Sequence, residues 1–205
     1  MTEHVPPAVA ALLQRRSVKR FVEPGPTDAQ LELILQAATT VPDHNELRPW
    51  RFVVVSGAER HDFGEALAAA GVEVDANLDD ARRRKLYDKA FLAPAFVVIV
   101  FSPKPGTVAT WEQEASAATT GYAMALTAHL LGLASIWKSA SVRTGTRLAS
   151  LLDLTDEERL MGWVNLGTAP APPRDRRNPV GPADVASRLV SGRTVRWGQS
   201  EAAQG

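Results

Sequence analysis

Apolar residues recur along this chain at two periods, and the switch between them lays out its elements. Val9, Leu12 and Leu13 share one face of a short opening helix that ends near Arg15 and Arg16. The turn Glu23-Pro24-Gly25-Pro26 stops the chain. Thr27 then reads as an N-cap, with Asp28 in the first turn, where the helix dipole favours a carboxylate. Leu31, Ile34, Leu35 and Ala38 follow at helical spacing and predict an amphipathic helix over 27–40, broken by Pro42. Two more helices are expected over 58–70 and 79–89, the second an exposed face carrying Arg82, Arg83, Arg84 and Lys85. β-Branched and aromatic runs predict strands at 52–55, 96–101, 134–138 and 162–166. Thr155 and Glu158 have the spacing of a capping box, the mark of a helix start.

The stretch 111–131 breaks the one-sided pattern. It is rich in Ala, Thr, Met and Leu and almost uncharged after Glu114, so it is apolar nearly all round. Such a helix belongs in a core or against another subunit; Gly132 caps it. Beyond Gly167 the composition shifts to Pro and Arg, in Pro170-Ala171-Pro172-Pro173-Arg174-Asp175-Arg176-Arg177, which reads as an extended arm without regular structure. Helices interleaved with about four strands predict one α/β-type domain with helices on both sheet faces.

Composition removes whole classes of function. Lys and Arg number 23 and so do Asp and Glu, so no global field recruits nucleic acid or an anionic membrane, and any anion site is local. There is no cysteine, hence no disulfide, thiolate metal site or cysteine nucleophile, which suits a reducing cytoplasm. The first residues lack the basic start and apolar stretch of a signal peptide. The longest apolar run, 91–101, contains Pro94 and falls short of the roughly 20 residues that span a bilayer. A cytoplasmic protein is expected. The chain has no dinucleotide-binding or P-loop glycine pattern, no nucleophile elbow, and no His or Cys pairing at metal spacing.

Three clusters can carry chemistry. Arg15-Arg16-Ser17-Val18-Lys19-Arg20 packs four cations and a hydroxyl into six residues. Its ordinary reading is a solvated helix end; its functional reading is phosphate capture, with guanidinium forks and a hydroxyl as donors. Pro42-Asp43-His44-Asn45-Glu46-Leu47-Arg48-Pro49-Trp50 is either a plain loop or a bracketed set of polar groups leading into a buried strand. Trp137-Lys138-Ser139 closes a strand; its ordinary reading has Trp inward and Lys outward.

Taken in order, these clusters resemble the opening signature of the FMN-dependent nitroreductases, and in particular their short bacterial NAD(P)H nitroreductase subgroup. Arg15-Arg16-Ser17 with Lys19 and Phe21, then Pro42-Asp43-His44-Asn45 running to Pro49-Trp50-Arg51-Phe52, carry the resemblance. Trp111-Glu112-Gln113-Glu114, Trp137-Lys138-Ser139 and Val164-Asn165-Leu166-Gly167-Thr168 extend it. It covers residues 12–168 and implies an α+β fold: a sandwich whose central, mostly antiparallel sheet is flanked by helices, in an intertwined homodimer. Residues 1–168 would form the FMN-binding domain, and 169–205 an arm packed on the partner.

The resemblance also implies roles. Arg15, Arg16 and Ser17 would bind the FMN phosphate and ribityl chain, and Lys19 would approach the pyrimidine edge of the ring. His44 and Arg48 would reach the partner's flavin, while Trp137, Lys138 and Ser139 would line the chain's own. Thr127, Ala128, His129, Leu130, Leu131 and Gly132 correspond to the segment assigned to the nicotinamide nucleotide, from NADH or NADPH. The implied activity is reduction of nitroaromatics, quinones or similar small electrophiles, without a side-chain catalyst. A flavin reductase, dehalogenase or dehydrogenase on the same fold, or a flavin-binding protein without turnover, would share these residues. Two departures stand out: position 48 is Arg where Gln is common, and Arg174 and Arg176 fall in no recognisable motif.

Overall fold

A computed structural model describes residues 5–140, 144–172 and 180–199 of the chain. Contacts divide the chain into two compact units, residues 1–173 and 174–205. The first holds helices α1 (Pro7–Gln14), α2 (Asp28–Ala38), α3 (Glu59–Val74), α4 (Asp80–Tyr87), α5 (Thr110–Leu130) and α6 (Thr146–Leu151), with strands β1 (Trp50–Ser56), β2 (Ala95–Phe101), β3 (Ala134–Lys138) and β4 (Arg159–Gly167). Short 3₁₀ turns lie at His44–Glu46 and Asp88–Phe91. The sheet has the order β1-β2-β4-β3, and every neighbouring pair is antiparallel.

β2 is buried along its whole length because helices cover both sides. Its alternate residues Phe96, Val98 and Val100 pack with Phe63, Leu67, Leu148 and Trp163, under α3 and α6. Val97 and Ile99 point the other way, onto Ile34, Ala38, Met124 and Ala128 of α2 and α5. This two-sided core is why 96–101 reads as a continuous apolar run. α2 starts as its sequence requires: the Thr27 hydroxyl accepts from the Gln30 N–H, and the Gln30 side chain accepts from the Thr27 N–H.

The structure departs from the sequence expectations in three places. No helix follows Thr155. The Glu158 carboxylate does accept from the Thr155 N–H, but Arg51 binds both its oxygens, and the chain turns directly into β4. α6 is additional; its Thr146 N–H is capped by Glu73 of α3, 73 residues away, so no local signal announces it. The second unit is not without regular structure, since it contains helix α7 (Pro182–Val185) and a hairpin of β5 (Ser187–Val190) and β6 (Arg193–Arg196). Its two-residue turn, Ser191 at φ 49° and Gly192 at φ 78°, matches the strand twist of a tight hairpin. Arg174 and Arg176 lie outside the described residues.

α5, apolar nearly all round, buries one face in the core and leaves apolar residues exposed on another. Ala117, Gly121, Met124 and Ala128 are buried in the core, whereas Trp111 (69% exposed), Tyr122 and Leu130 are not. Val9, Leu12 and Leu13 of α1 are exposed as well. Among the described residues no helix is long and apolar enough to cross a membrane.

Candidate functional site

Backbone strain concentrates in one short loop. Asn45, Glu46 and Arg48 adopt φ values of 63°, 52° and 51°, a left-handed conformation that costs L-residues on the order of 1–3 kcal/mol each. Asn tolerates it, but Glu and Arg do not favour it, so the surroundings must impose it. Three contacts do so. The Ser116 hydroxyl donates to the Pro42 carbonyl at 2.6 Å, the Asp43 carboxylate accepts from the Arg48 N–H at 2.6 Å, and His44 Nδ1 lies 2.9 Å from Glu112 Oε2. The loop thereby projects the exposed His44 and Arg48 side chains from the N-terminal half of α5.

Past Trp50 the chain is anchored in β1. Arg51 donates from Nε to Glu158 Oε1 at 2.8 Å, and from one terminal nitrogen to Glu158 Oε2 and to the carbonyls of Leu152 and Asp153. This bidentate clamp holds the Glu158 carboxyl down at about 2, against the opposing effect of burial.

The second group forms around β3. Val18 N–H donates to the Ser135 carbonyl at 2.9 Å, which lays the basic segment along this edge strand, two residues from Trp137. Ser17 and Lys19 are exposed there, and the Arg15 guanidinium lies 6.0 Å from the centre of the Tyr122 ring of α5. Arg16 turns back on α1, donating to the carbonyls of Leu13 at 2.7 Å and Arg15 at 3.0 Å, the arrangement expected of a helix-end cation. Trp137 faces α5, as the ordinary strand reading has it, but is not fully covered. It is 36% exposed and packs beneath Gly121, while Lys138 is half-buried and Ser139 exposed.

A residue missed in the sequence shapes this end of β3. A register shift between β2 and β4 falls beside Gly162, which sits at φ 118°. A Cβ there would overlap the Lys138 carbonyl and come within 2.9 Å of Ser139 Cα. Only glycine lets the Lys138–Ser139 backbone cross so close, and the chain signals it merely as an isolated Gly inside a strand pattern.

α5 spaces the two groups. Glu112 and Ser116 hold the strained loop, whereas Gly121 and Ala125 meet Trp137 and Ser135. From Glu112 to Gly121 is nine residues, about 14 Å of helix. The basic segment thus runs onto the strand that ends in Trp137 and Lys138, whereas His44 and Arg48 are held at the other end of α5. The segment 127–132 is the last turn of α5 and its cap: Gly132, at φ 78°, donates to the His129 carbonyl, and Leu133 to that of Ala128. Ala128 is wholly buried, Thr127, His129 and Leu131 are half-buried, and Leu130 and Gly132 are exposed.

The remaining motif is accounted for residue by residue. After Glu112 holds His44, the Gln113 amide accepts from Lys104 N–H and donates to the carbonyls of Lys104 and Val108, and Glu114 pairs with Arg159.

The family model of the nitroreductase family matches residues 12–168. YdjA of Escherichia coli strain K12, a candidate NAD(P)H nitroreductase by name, is 32% identical over 162 residues, spanning 78% of this chain and 87% of YdjA. Among solved structures, a nitroreductase-like family protein from Bacillus cereus aligns with a TM-score of 0.70 at 24% identity, covering 87% of this chain and 94% of the other. A single-residue mutant of NfnB from Sphigopyxis sp. strain HMH, an FMN- and NADPH-dependent nitroreductase, aligns with a TM-score of 0.72 at 23% identity, over 89% and 99% of the two chains. The chain belongs to the nitroreductase family.

Proposed function

We propose that the protein is an FMN-dependent NAD(P)H oxidoreductase that works as a homodimer and reduces nitroaromatics, quinones or similar small electrophiles. The observation that carries this reading is the Val18–Ser135 hydrogen bond, which brings the basic segment onto the edge strand that ends in Trp137 and Lys138. A segment with cations and a hydroxyl suited to one phosphate thus shares an edge strand with an indole and a glycine-dependent backbone crossing. FMN fits such a set: a single phosphate needs a local cationic cluster, and the Lys138–Ser139 backbone that would line the ring is fixed by its close crossing over Gly162.

In this reading Arg15, Arg16 and Ser17 hold the phosphate and ribityl chain, and Lys19 faces the pyrimidine edge. Trp137, Lys138 and Ser139 line the ring. His44 and Arg48, held apart by α5, serve the site of a second copy. Leu130 and Gly132, with Thr127, His129 and Leu131, offer the surface for the nicotinamide nucleotide. A bound FMN would supply two-electron hydride chemistry, so that oxidation of NAD(P)H and reduction of the acceptor could alternate as the half-reactions of a ping-pong cycle. The side chains bind, orient and stabilise charge; none needs to act as nucleophile or base.

The test is anaerobic steady-state kinetics on the FMN-loaded protein, following NADH and NADPH oxidation separately against nitroaromatic and quinone acceptors. Parallel double-reciprocal lines are expected. Converging lines would replace ping-pong with a ternary complex, and no oxidation with any acceptor would refute the reading.

A further inference from the structure

Glu112 and Ser116 stand one turn apart on the same face of α5 and grip the 42–49 loop at two different kinds of point. The Ser116 hydroxyl takes the backbone, donating to the Pro42 carbonyl at 2.6 Å. Glu112 takes a side chain, with its Oε2 2.9 Å from Nδ1 of the His44 ring. The Asp43 carboxylate accepts from the Arg48 N–H within the loop, so the backbone on both sides of His44 has holders of its own. Glu112 lies in the first turn of α5, where the helix dipole favours negative charge. It is 68 residues from His44 in the chain, and no local pattern marks the pair.

An exposed imidazole left to water turns about its side-chain bonds and carries its proton on either ring nitrogen. A carboxylate at one nitrogen settles both freedoms. Because an ionised carboxylate only accepts, the neutral ring keeps its proton on Nδ1 and shows a bare lone pair at Nε2. Nδ1 is engaged by Glu112, and Nε2 is the ring nitrogen left for a ligand. The ring is exposed and Glu112 half-buried, so the free nitrogen is accessible from outside the chain. An exposed ion pair returns less stability than the strained loop costs. The arrangement is therefore explained by where it puts the ring, not by what it adds to the fold.

Resting on the flavin-dependent function proposed above, we propose that Glu112 is a positioning residue: its carboxylate holds the His44 proton on Nδ1 and turns Nε2, as a hydrogen-bond acceptor, toward the flavin of a second copy. Glu112 acts through the ring and touches no cofactor itself. Its neighbours cannot take its place. The Gln113 amide is committed to Lys104 and Val108, and the Glu114 carboxylate to Arg159.

The experiment measures FMN dissociation constants of the full chain by flavin fluorescence, for His44→Ala, Glu112→Leu, Glu112→Gln and the combined variant His44→Ala with Glu112→Leu. Nitrogen-15 NMR of the histidine rings in the FMN-loaded protein shows which nitrogen carries the proton, at about pH 8, where an ordinary imidazole is neutral. His44→Ala assigns the signal among the four histidines. His44→Ala and Glu112→Leu are each expected to weaken FMN binding by roughly three- to tenfold, as loss of one hydrogen bond implies. The combined variant should bind no more weakly than His44→Ala alone, because both remove the same contact. Glu112→Gln, which keeps an acceptor oxygen, should restore binding and the Nδ1–H signal, while Glu112→Leu should move the proton to Nε2. A His44 protonated on Nε2 in the unmodified protein, full FMN affinity in Glu112→Leu beside a weakened His44→Ala, or additive losses in the combined variant would each overturn the proposal and leave the flavin reading intact. Full FMN affinity in His44→Ala would remove His44 from the flavin site and this proposal with it. A chain that takes up no FMN would overturn the function reading itself.

Discussion

Arg16 is where two accounts of the basic segment diverge. Its guanidinium caps the end of α1, which a helix-end cation would do without any ligand. If it also binds phosphate, Arg16→Ala should weaken FMN binding by roughly ten- to a hundredfold, the worth of a charge-assisted hydrogen bond. Lys19, exposed beside β3, should act on the ring instead. Lys19→Ala is expected to lower the flavin midpoint potential while changing oxidised-FMN affinity less, because a nearby cation favours the negatively charged reduced form. Redox titration beside FMN dissociation constants separates the two; negligible effects of both would return the segment to a solvated helix end. Glu158 makes a stability prediction at the same scale. Its carboxyl is held at about 2 by Arg51, below its ordinary 4.5, so the clamp contributes fully above pH 4.5 and is lost as pH falls toward 2. Glu158→Gln should cost about 2 kcal/mol at pH 7, and the gap to the unmodified protein should narrow steadily in denaturant melts run from pH 4.5 down to about pH 2.5.

Individual elements differ in how far the chain announces them. β2 and α2 were legible because their signals are local: a continuous apolar run for a strand covered on both faces, and a Thr27–Gln30 cap before an amphipathic repeat. α6 was not, because its cap is supplied by Glu73 from across the domain. Thr155 and Glu158 misled for the complementary reason, since a distant Arg51 binds the carboxylate that would have capped a helix. The β5–β6 hairpin was hidden by composition, although Ser191-Gly192 between two short alternating runs is a turn signal. In the candidate site the residue types were readable, but the strain at Glu46 and Arg48 was not, for neither type favours a positive φ. Gly162 gives the sharpest element-level test. Gly162→Ala meets both an unfavourable φ of 118° and overlap with the Lys138 carbonyl, and should destabilise the protein by at least about 2 kcal/mol. FMN retention should fall with it, read by thermal melts with and without flavin. A melt unchanged from the unmodified protein would mean that the β3 end shifts freely and does not frame the site.

At the scale of the whole molecule, the exposed apolar residues of α1 and α5 and the separation of His44 and Arg48 from the β3 group point the same way. Leu13 is 58% exposed and Trp111, Tyr122 and Leu130 are uncovered within one chain, which is costly unless a second copy covers them. Obligate interfaces of this kind commonly bury roughly 2,000 Å² or more. Light scattering should therefore give twice the chain mass, and Leu13→Glu or Tyr122→Glu should shift it toward monomer with loss of flavin. A folded, flavin-loaded monomer at low concentration would contradict the two-chain site.

The most direct test of the flavin assignment itself is a titration of flavin-stripped protein with FMN, read by quenching of flavin fluorescence and checked against FAD. The account predicts saturation at one FMN per chain, with a yellow protein after gel filtration and weaker uptake of the dinucleotide. A preparation that stays colourless and leaves FMN fluorescence unchanged would contradict it.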